Sequence, residues 1–392
     1  MSDTGGTMGE NGENGENGEN GENGENGENG ENGDGTAGGT VPGPDGQGGA
    51  PSGASRNDPW ARYRFPGSPD SGEETPAQRD RRYRELPRTV LPSQDPGIRQ
   101  GLAFDPALKH FTTAFRVAEP TFDDPAAAAP WHAARRAALD TVLAGVVEGG
   151  YRDALVLRGS ALLAGWFGAA AREPGDLDFV VVPADWRIEE ERTDRMLAGI
   201  ASAAARVGAR LPEGPSIHAA EARSEFIWTY ERVPGRRMVL PWSAPGVPGG
   251  SVQLDFVFGE QLPDPPRPAR VALSGAPGLP GTELLAASPE LSLAWKLVWL
   301  GTDLHPEGKD LYDAVLLAER FPLRYELLQQ VFWLLEETPG GSTLTLTLED
   351  LEEAVGAYGW HHFAEEYPQL AQPEQRHFGE RLLAAVRPVF GR

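Results

Sequence analysis

The sequence predicts an α+β fold: a mixed sheet core with a helical C-terminal half, preceded by a disordered acidic N-terminal tail. Three observations predict it. Apolar runs of strand length, separated by Pro/Gly-rich turns, dominate residues 154–258. From Ser288 onward the apolar period becomes helical. Residues 9–32 are eight consecutive Gly-Glu-Asn triplets, a repeat with nothing to bury. Strands in the middle and helices at the end, without regular βαβ alternation, read as α+β.

The tail is decided by arithmetic. Residues 1–56 hold 19 of the 49 glycines, no aromatic residue, and 11 acids against one base, Arg56. They carry −10 of the −23 net charge and cannot offset the entropy of ordering. The repeat fits an entropic bristle, an expansion without a role, or an acidic decoy for a basic patch. Residues 57–123 read as an irregular Pro/Arg-rich arm. Within it Arg79, Arg81, Arg82, Arg84 and Arg88 surround Tyr83, either as a solvated arm on an acidic body or as an RNA contact. The expected division is 1–56 tail, 57–123 arm, 124–282 sheet-bearing core and 283–392 helical part.

Composition excludes several classes. The chain has no cysteine, so disulfides, thiolate metal sites and a thiol nucleophile are out. The longest apolar run, Ala161–Ala171, has 11 residues, short of the roughly 18 that a membrane span needs. No basic stretch followed by an apolar one opens the chain, so the expectation is a cytoplasmic protein without a membrane partner. The acidic balance opposes general nucleic-acid binding but leaves room for a local basic groove.

The elements follow in order. Asp124 can cap a helix in which Trp131, Ala134, Ala138, Val142 and Val146 recur at helical spacing until Gly149-Gly150. Ala154–Leu157 reads as a buried strand, broken by Gly159-Ser160, with a helix over Ala161–Ala170. Leu177–Val182 is a second strand, ended by Pro183, and Glu189–Val207 an amphipathic helix. Glu225–Glu231, Arg237–Leu240 and Val252–Phe258 are strand-like. Ser288-Pro289-Glu290 supplies a cap, an N1 proline and a first-turn acid. The helix that follows is apolar on two faces, which predicts deep burial. Further helices are expected at about 309–320, 324–336, 348–358 and 373–389.

The chemistry concentrates in two places. One is Leu157-Arg158-Gly159-Ser160 followed by Asp176-Leu177-Asp178-Phe179; the other is Leu254-Asp255-Phe256. In a strand, Asp176 and Asp178 share one face, about 7 Å apart, and repel unless a cation lies between them. Oxygen ligands of this kind suit magnesium, completed by substrate phosphates. Asp255 among hydrophobic residues is either a third ligand to the same cation or an edge-strand acid facing water. Gly159-Ser160 offers backbone N–H groups, a hydroxyl and a helix N-terminus for phosphate, or is simply a turn. Lys296, one of three lysines, must snorkel or meet an anion in its apolar helix. Asp310 and Asp313 share a helical face, from dipole complementarity or a cleft role. Asp303 is a weaker candidate, and His305, His361 and His362 lack metal-ligand spacing.

Gly-Ser, then Asp-x-Asp, then a third strand aspartate resembles the polymerase-β-type nucleotidyltransferase superfamily. Pro289-Glu290-Leu291, Trp295-Lys296-Leu297 and Lys309-Asp310-Leu311-Tyr312-Asp313 are similar to the AbiEii/AbiGii toxin family of nucleotidyltransferases. The resemblance spans roughly residues 130–336 and implies a nucleotidyltransferase-like core. It implies that Gly159 and Ser160 hold the triphosphate, that Asp176 and Asp178 bind Mg²⁺, and that Asp255 completes the metal site and helps deprotonate the acceptor. It also places Lys296 on the nucleotide phosphates, Asp310 and Asp313 along the same cleft, and Arg172 at a basic position before the Asp pair. The spacing from Ser160 to Asp176, Gly175 before Asp176, and Lys309 in place of arginine depart from the family pattern.

What the resemblance implies is an enzyme that uses an NTP and two Mg²⁺ ions to move a nucleoside monophosphate onto an RNA (tRNA-like) or protein acceptor. A toxin role opposed by a cognate antitoxin goes with it. Nucleotidylation of an aminoglycoside-like antibiotic is the alternative that the −13 charge of residues 57–392 favours. A nucleotide-binding module without turnover is the third, opposed by the cost of keeping buried acids without a cation.

Overall fold

A computed structural model describes residues 86–391 apart from 109–113, 230–232, 304–305, 337–343, 356–359 and 373. The Gly-Glu-Asn tail, Arg79, Arg81, Arg82, Arg84 and Tyr83, and His305 lie outside the described residues. Arg88 lies inside, where its backbone N–H donates to Glu225 and its guanidinium to the Ser224 carbonyl.

Four short strands come first: β1 (Ile98–Arg99), β2 (Leu102–Phe104), β3 (Phe115–Val117) and β4 (Thr121–Phe122). They pair as two antiparallel ladders, β1 with β4 and β2 with β3. The Asp124 side chain accepts from the Ala126 N–H at 2.9 Å. The expected cap thus opens a 3₁₀ turn over Pro125–Ala127, which runs on into α1 (Ala128–Glu148). Gly149 caps that helix, and Gly150 follows at φ +85°.

β5 (Leu155–Arg158) leads through Gly159 into α2 (Ser160–Phe167), and β6 (Asp176–Val181) follows. Next come α3 (Glu191–Gly208) and the strands β7 (Ser216–Ile217), β8 (Arg223–Thr229), β9 (Val233–Ala244) and β10 (Val247–Val257). β11 (Arg267–Val271) and β12 (Thr282–Ala286) close the sheet. It has eight strands among the described residues, in the order β11-β12-β5-β6-β10-β9-β7, with β8 also paired to β9. β10 runs parallel to β6 and β12 parallel to β5; the other pairs are antiparallel.

The pleat sorts side chains as alternation requires. In β6, Leu177 and Phe179 are fully buried, and Phe179 stacks on Phe256 of β10 at 5.6 Å. Asp176 and Asp178 project from the opposite face. Helix α1 packs against α3, β10 and β12. At the α1–α3 crossing, a Cβ on Gly145 would stand 2.7 Å from the Ala204 backbone, so only glycine allows that approach.

Six helices complete the chain: α4 (Pro289–Thr302), α5 (Gly308–Arg320), α6 (Tyr325–Glu336), α7 (Leu348–Ala354), α8 (Trp360–Glu366) and α9 (Gln375–Phe390). The Ser288 hydroxyl accepts from the Leu291 N–H at 3.1 Å, the cap read from the sequence. Every residue from Leu291 to Leu300 is buried. Helix α4 packs against α5, α6 and α7. Burying its seven large apolar side chains is worth roughly 10–20 kcal/mol before entropy. Lys296 can sit among them only with compensation. No described helix is long and apolar enough to cross a membrane.

Some elements escaped the sequence reading. The strand expected over Arg237–Leu240 runs on through both Pro234 and Pro241. Each proline serves by its carbonyl, Pro241 accepting from His218 N–H and Pro234 from Phe258 N–H, so neither missing donor breaks the strand at those positions. β1–β4, β7, β11, β12 and α8 are too short or too irregular in pattern to have shown.

Candidate active site

Three strands bring the conspicuous residues together. Asp178 of β6 stands opposite Asp255 of the parallel strand β10 and opposite Arg158 of the antiparallel strand β5. Gly159, directly after β5, has φ +79°. A Cβ there would lie 2.3 Å from Asp178 Oδ2, so the turn passes over the carboxylate only because the residue is glycine. Ser160 is buried and donates from Oγ to Asp176 Oδ1 at 3.0 Å. Gly159, Arg172, Asp176, Asp178, Asp255, Lys296 and Asp310 line one cleft of about 130 Å³. Asp313 is fully buried behind it.

The carboxylates differ sharply. The Asp178 carboxylate makes no hydrogen bond or ion pair among the described residues. Burial, with Asp176 and Asp255 adding like charge, pushes its pKa up to about 7. Burial would raise Asp176 as well, but Arg172, Lys309 and the Ser160 hydroxyl outweigh it and hold that group below its ordinary value. Asp255 is raised by burial against the pull of Arg237.

Arg237, on β9, organises this edge. Its Nε and one terminal nitrogen donate to the two oxygens of Asp255, both at 2.8 Å. Its other terminal nitrogen donates to Asp105 Oδ2 at 2.6 Å. Burial disfavours the guanidinium charge, yet Asp105 and Asp255 outweigh it. Gln253 Nε2 donates to Asp255 Oδ2 at 3.1 Å. Asp255 is therefore neither an orphan in the core nor an acid facing water.

Lys296 resolves as an anion partner. Its Nζ lies 2.5 Å from Asp310 Oδ1 and 3.3 Å from Asp313 Oδ2, and 4.9 Å from the Trp299 ring centroid. Arg172 Nε reaches both Asp313 oxygens at 3.3 and 3.2 Å. Arg158 pairs with Glu260 at 2.8 Å and lies over Trp295. Asp303 lines the cleft too, while His361 and His362 sit on exposed positions of α8 away from it.

Which residues suit a cation follows from this geometry. Asp178 is an unpaired acid beside a second carboxylate, a donor set whose repulsion a divalent cation removes. Asp255 has both oxygens engaged by Arg237. Among the described residues no three His, Asp or Glu side chains converge as a metal-binding group as they stand. The Asp176–Asp178 pair fits a hard cation; Asp255 fits as its neighbour.

Asp105, Arg116 and Arg237 line the cleft and were missed, while Arg158 was quoted in the first motif without a role. Arg237 had half a signal, an Arg236-Arg237 pair in a strand-like run, of which only the register of β9 on β10 picks the one that meets Asp255. Asp105 and Arg116 had none.

The family described as nucleotidyl transferase AbiEii toxin, type IV TA system, matches residues 141–385. A search of curated protein sequences gave no match. Among solved structures, MenT4, a nucleotidyltransferase toxin from Mycobacterium tuberculosis H37Rv, is similar at 17% identity with a TM-score of 0.46. The alignment covers 67% of this chain and 85% of MenT4. The family match takes in Gly159, Ser160, the three aspartates of the sheet, Lys296 and the Asp310–Asp313 turn, so the chain belongs to the AbiEii family of nucleotidyltransferase toxins.

Proposed function

We propose that the cleft binds an NTP with magnesium and transfers its nucleoside monophosphate to a hydroxyl of a tRNA-like RNA. The carrying observation is Asp178, an unpaired acid raised to about 7 beside Asp176 and directly under the Gly159 turn. Asp176 and Asp178 would hold Mg²⁺, which supplies charge for the triphosphate and the leaving pyrophosphate.

The chain's own residues divide the remaining work. The Gly159 turn lets phosphate oxygens approach the start of α2 without a side chain in the way. Lys296 has three donors and hydrogen-bonds Asp310 alone, with Asp313 an ion partner at 3.3 Å, which leaves donors for phosphate oxygens. Arg172 fixes Asp313 from the other side and so orients that lysine. Arg237 and Gln253 take three of the four lone-pair sites on Asp255, leaving one on Oδ1 to receive the acceptor proton.

RNA is favoured over protein because Arg116, Arg172 and Lys309 gather beside Asp176 in a chain of −23 overall, the local basic ground an RNA end requires. Family membership supports a toxin held in check by a cognate antitoxin. The test is labelling by purified protein with Mg²⁺ and each α-labelled NTP, offered total RNA and cell lysate. Label on RNA that disappears in Asp178→Asn supports the reading. Label on a protein band moves the acceptor to that class, and label on neither refutes transfer to both.

A further inference from the structure

A smaller polar cavity of about 80 Å³ adjoins the cleft. Arg116, Arg135, Arg172 and Lys309 line it, against the carboxylates Glu119 and Asp176. Acids from outside the lining balance the cations, so what calls for an anion here is donors left without acceptors. Three of the cations have partners elsewhere: Arg116 pairs with Glu366, Arg172 with Asp313, and Lys309 with Glu307. Those three acids stand outside the lining. Arg172 uses only Nε for Asp313, and its terminal nitrogens make no hydrogen bond among the described residues.

Arg135 is the decisive residue. It is 4% exposed, and NH1 donates to Glu119 at 3.0 Å. Its Nε has no hydrogen-bond partner among the described residues, and NH2 lies near Glu119 without forming one. Buried guanidinium donors left without acceptors are costly, and a bound oxyanion supplies acceptors that match their planar fork. Tyr367 also lines the cavity and keeps its proton, its pKa pushed up to about 12 by burial and by Glu119.

We infer that this cavity is a phosphate subsite joined to the catalytic cleft. Arg116, Glu119 and Arg135 all precede residue 141, where the family match begins, so the subsite is completed by a part of the chain outside that match. The phosphate comes either from the end of the NTP or from the backbone of the acceptor; both present the same oxyanion. Only this question of source rests on the proposed transfer reaction.

The test uses the full chain and inorganic phosphate, followed by titration calorimetry. Arg135 and Glu119 line this cavity and not the catalytic cleft. Arg135→Gln should weaken phosphate roughly tenfold, the loss of one charge-assisted pair. Glu119→Gln should tighten it several-fold by removing a like charge. Opposite signs cannot arise from damage to the fold, which would weaken both. No phosphate binding by the native chain, no change in either variant, or changes of the same sign overturns the subsite. The source is read separately. A rise in the NTP dissociation constant of Arg135→Gln assigns the terminal phosphate, and a rise in acceptor KM alone assigns the acceptor. Phosphate binding needs no turnover, so loss of the subsite and loss of the transfer reading are distinguishable.

Discussion

Replacing Asp178 by asparagine should stabilise the metal-free protein while removing its activity. The folded-state pKa of Asp178 is about 7, against an ordinary value of 3.8. The group is an acid whose folded value is raised. Between these two values the folded state therefore binds more protons than the unfolded one, and its stability falls as pH rises from about 4 to about 7. The gap between these two values sets a ceiling of about 4 kcal/mol above pH 8. Asp178 is only partly buried by solvent contact, and screening brings the expected gain in Asp178→Asn to about 2 kcal/mol. For a chain of this size that is a rise in Tm of roughly 4 °C. The assay is thermal unfolding in a chelator at pH 4, 6 and 8. The native protein should lose ground to the variant across that range and match it at pH 4. Added Mg²⁺ should stabilise the native protein and leave the variant nearly unmoved. Asp178→Asn no more stable than the native chain at pH 8, with its fold intact, would refute the charge repulsion argued for this edge.

Three other substitutions separate the roles. Gly159→Ala puts a Cβ 2.3 Å from Asp178 Oδ2 at a φ of +79°. It should cost about 1–3 kcal/mol for the backbone alone, in a region open essentially to glycine, and lower kcat about 100-fold, since a 1 Å displacement at the reacting centre has that effect; steady-state kinetics beside thermal unfolding read both. Arg237→Gln leaves Asp105 and Asp255 buried without their cation and should destabilise by about 3–5 kcal/mol in urea unfolding. Lys296→Met strands Asp310 and raises KM for the NTP; adding Asp310→Asn should restore stability without restoring nucleotide affinity, which a purely structural lysine would not do.

Legibility from the sequence followed distance along the chain. Asp176, Asp178 and Asp255 stood out because strand alternation operates over two or three residues, and that local rule put each acid on the correct face. Ser288 and Lys296 were legible for the same reason. Arg116 and Arg237 were not. Arg236 and Arg237 are adjacent in sequence and face opposite sides: Arg236 pairs with Asp194 and Arg237 with Asp255 and Asp105. Nothing local chooses between them, and Asp105 is 132 residues from Arg237. Its segment has no period to read, because each of β1–β4 spans only two or three residues.

The pairing of these cations bears on how an acidic chain handles a polyanion. Each basic side chain of the cleft meets a carboxylate before any substrate arrives: Arg158 with Glu260, Arg172 with Asp313, Lys309 with Glu307. Pairing settles the cost of burying them and fixes their orientation, so a phosphate meets donors already aimed. A net charge of −23 repels nucleic acid in general, so the attraction has to come from local groups such as the cations that line the cleft and the cavity beside it. A duplex brings many phosphates against that net charge, whereas a free end brings few. On the RNA reading, the same charge distribution that lets the protein bind an NTP therefore selects termini over internal backbone, without a base-specific contact.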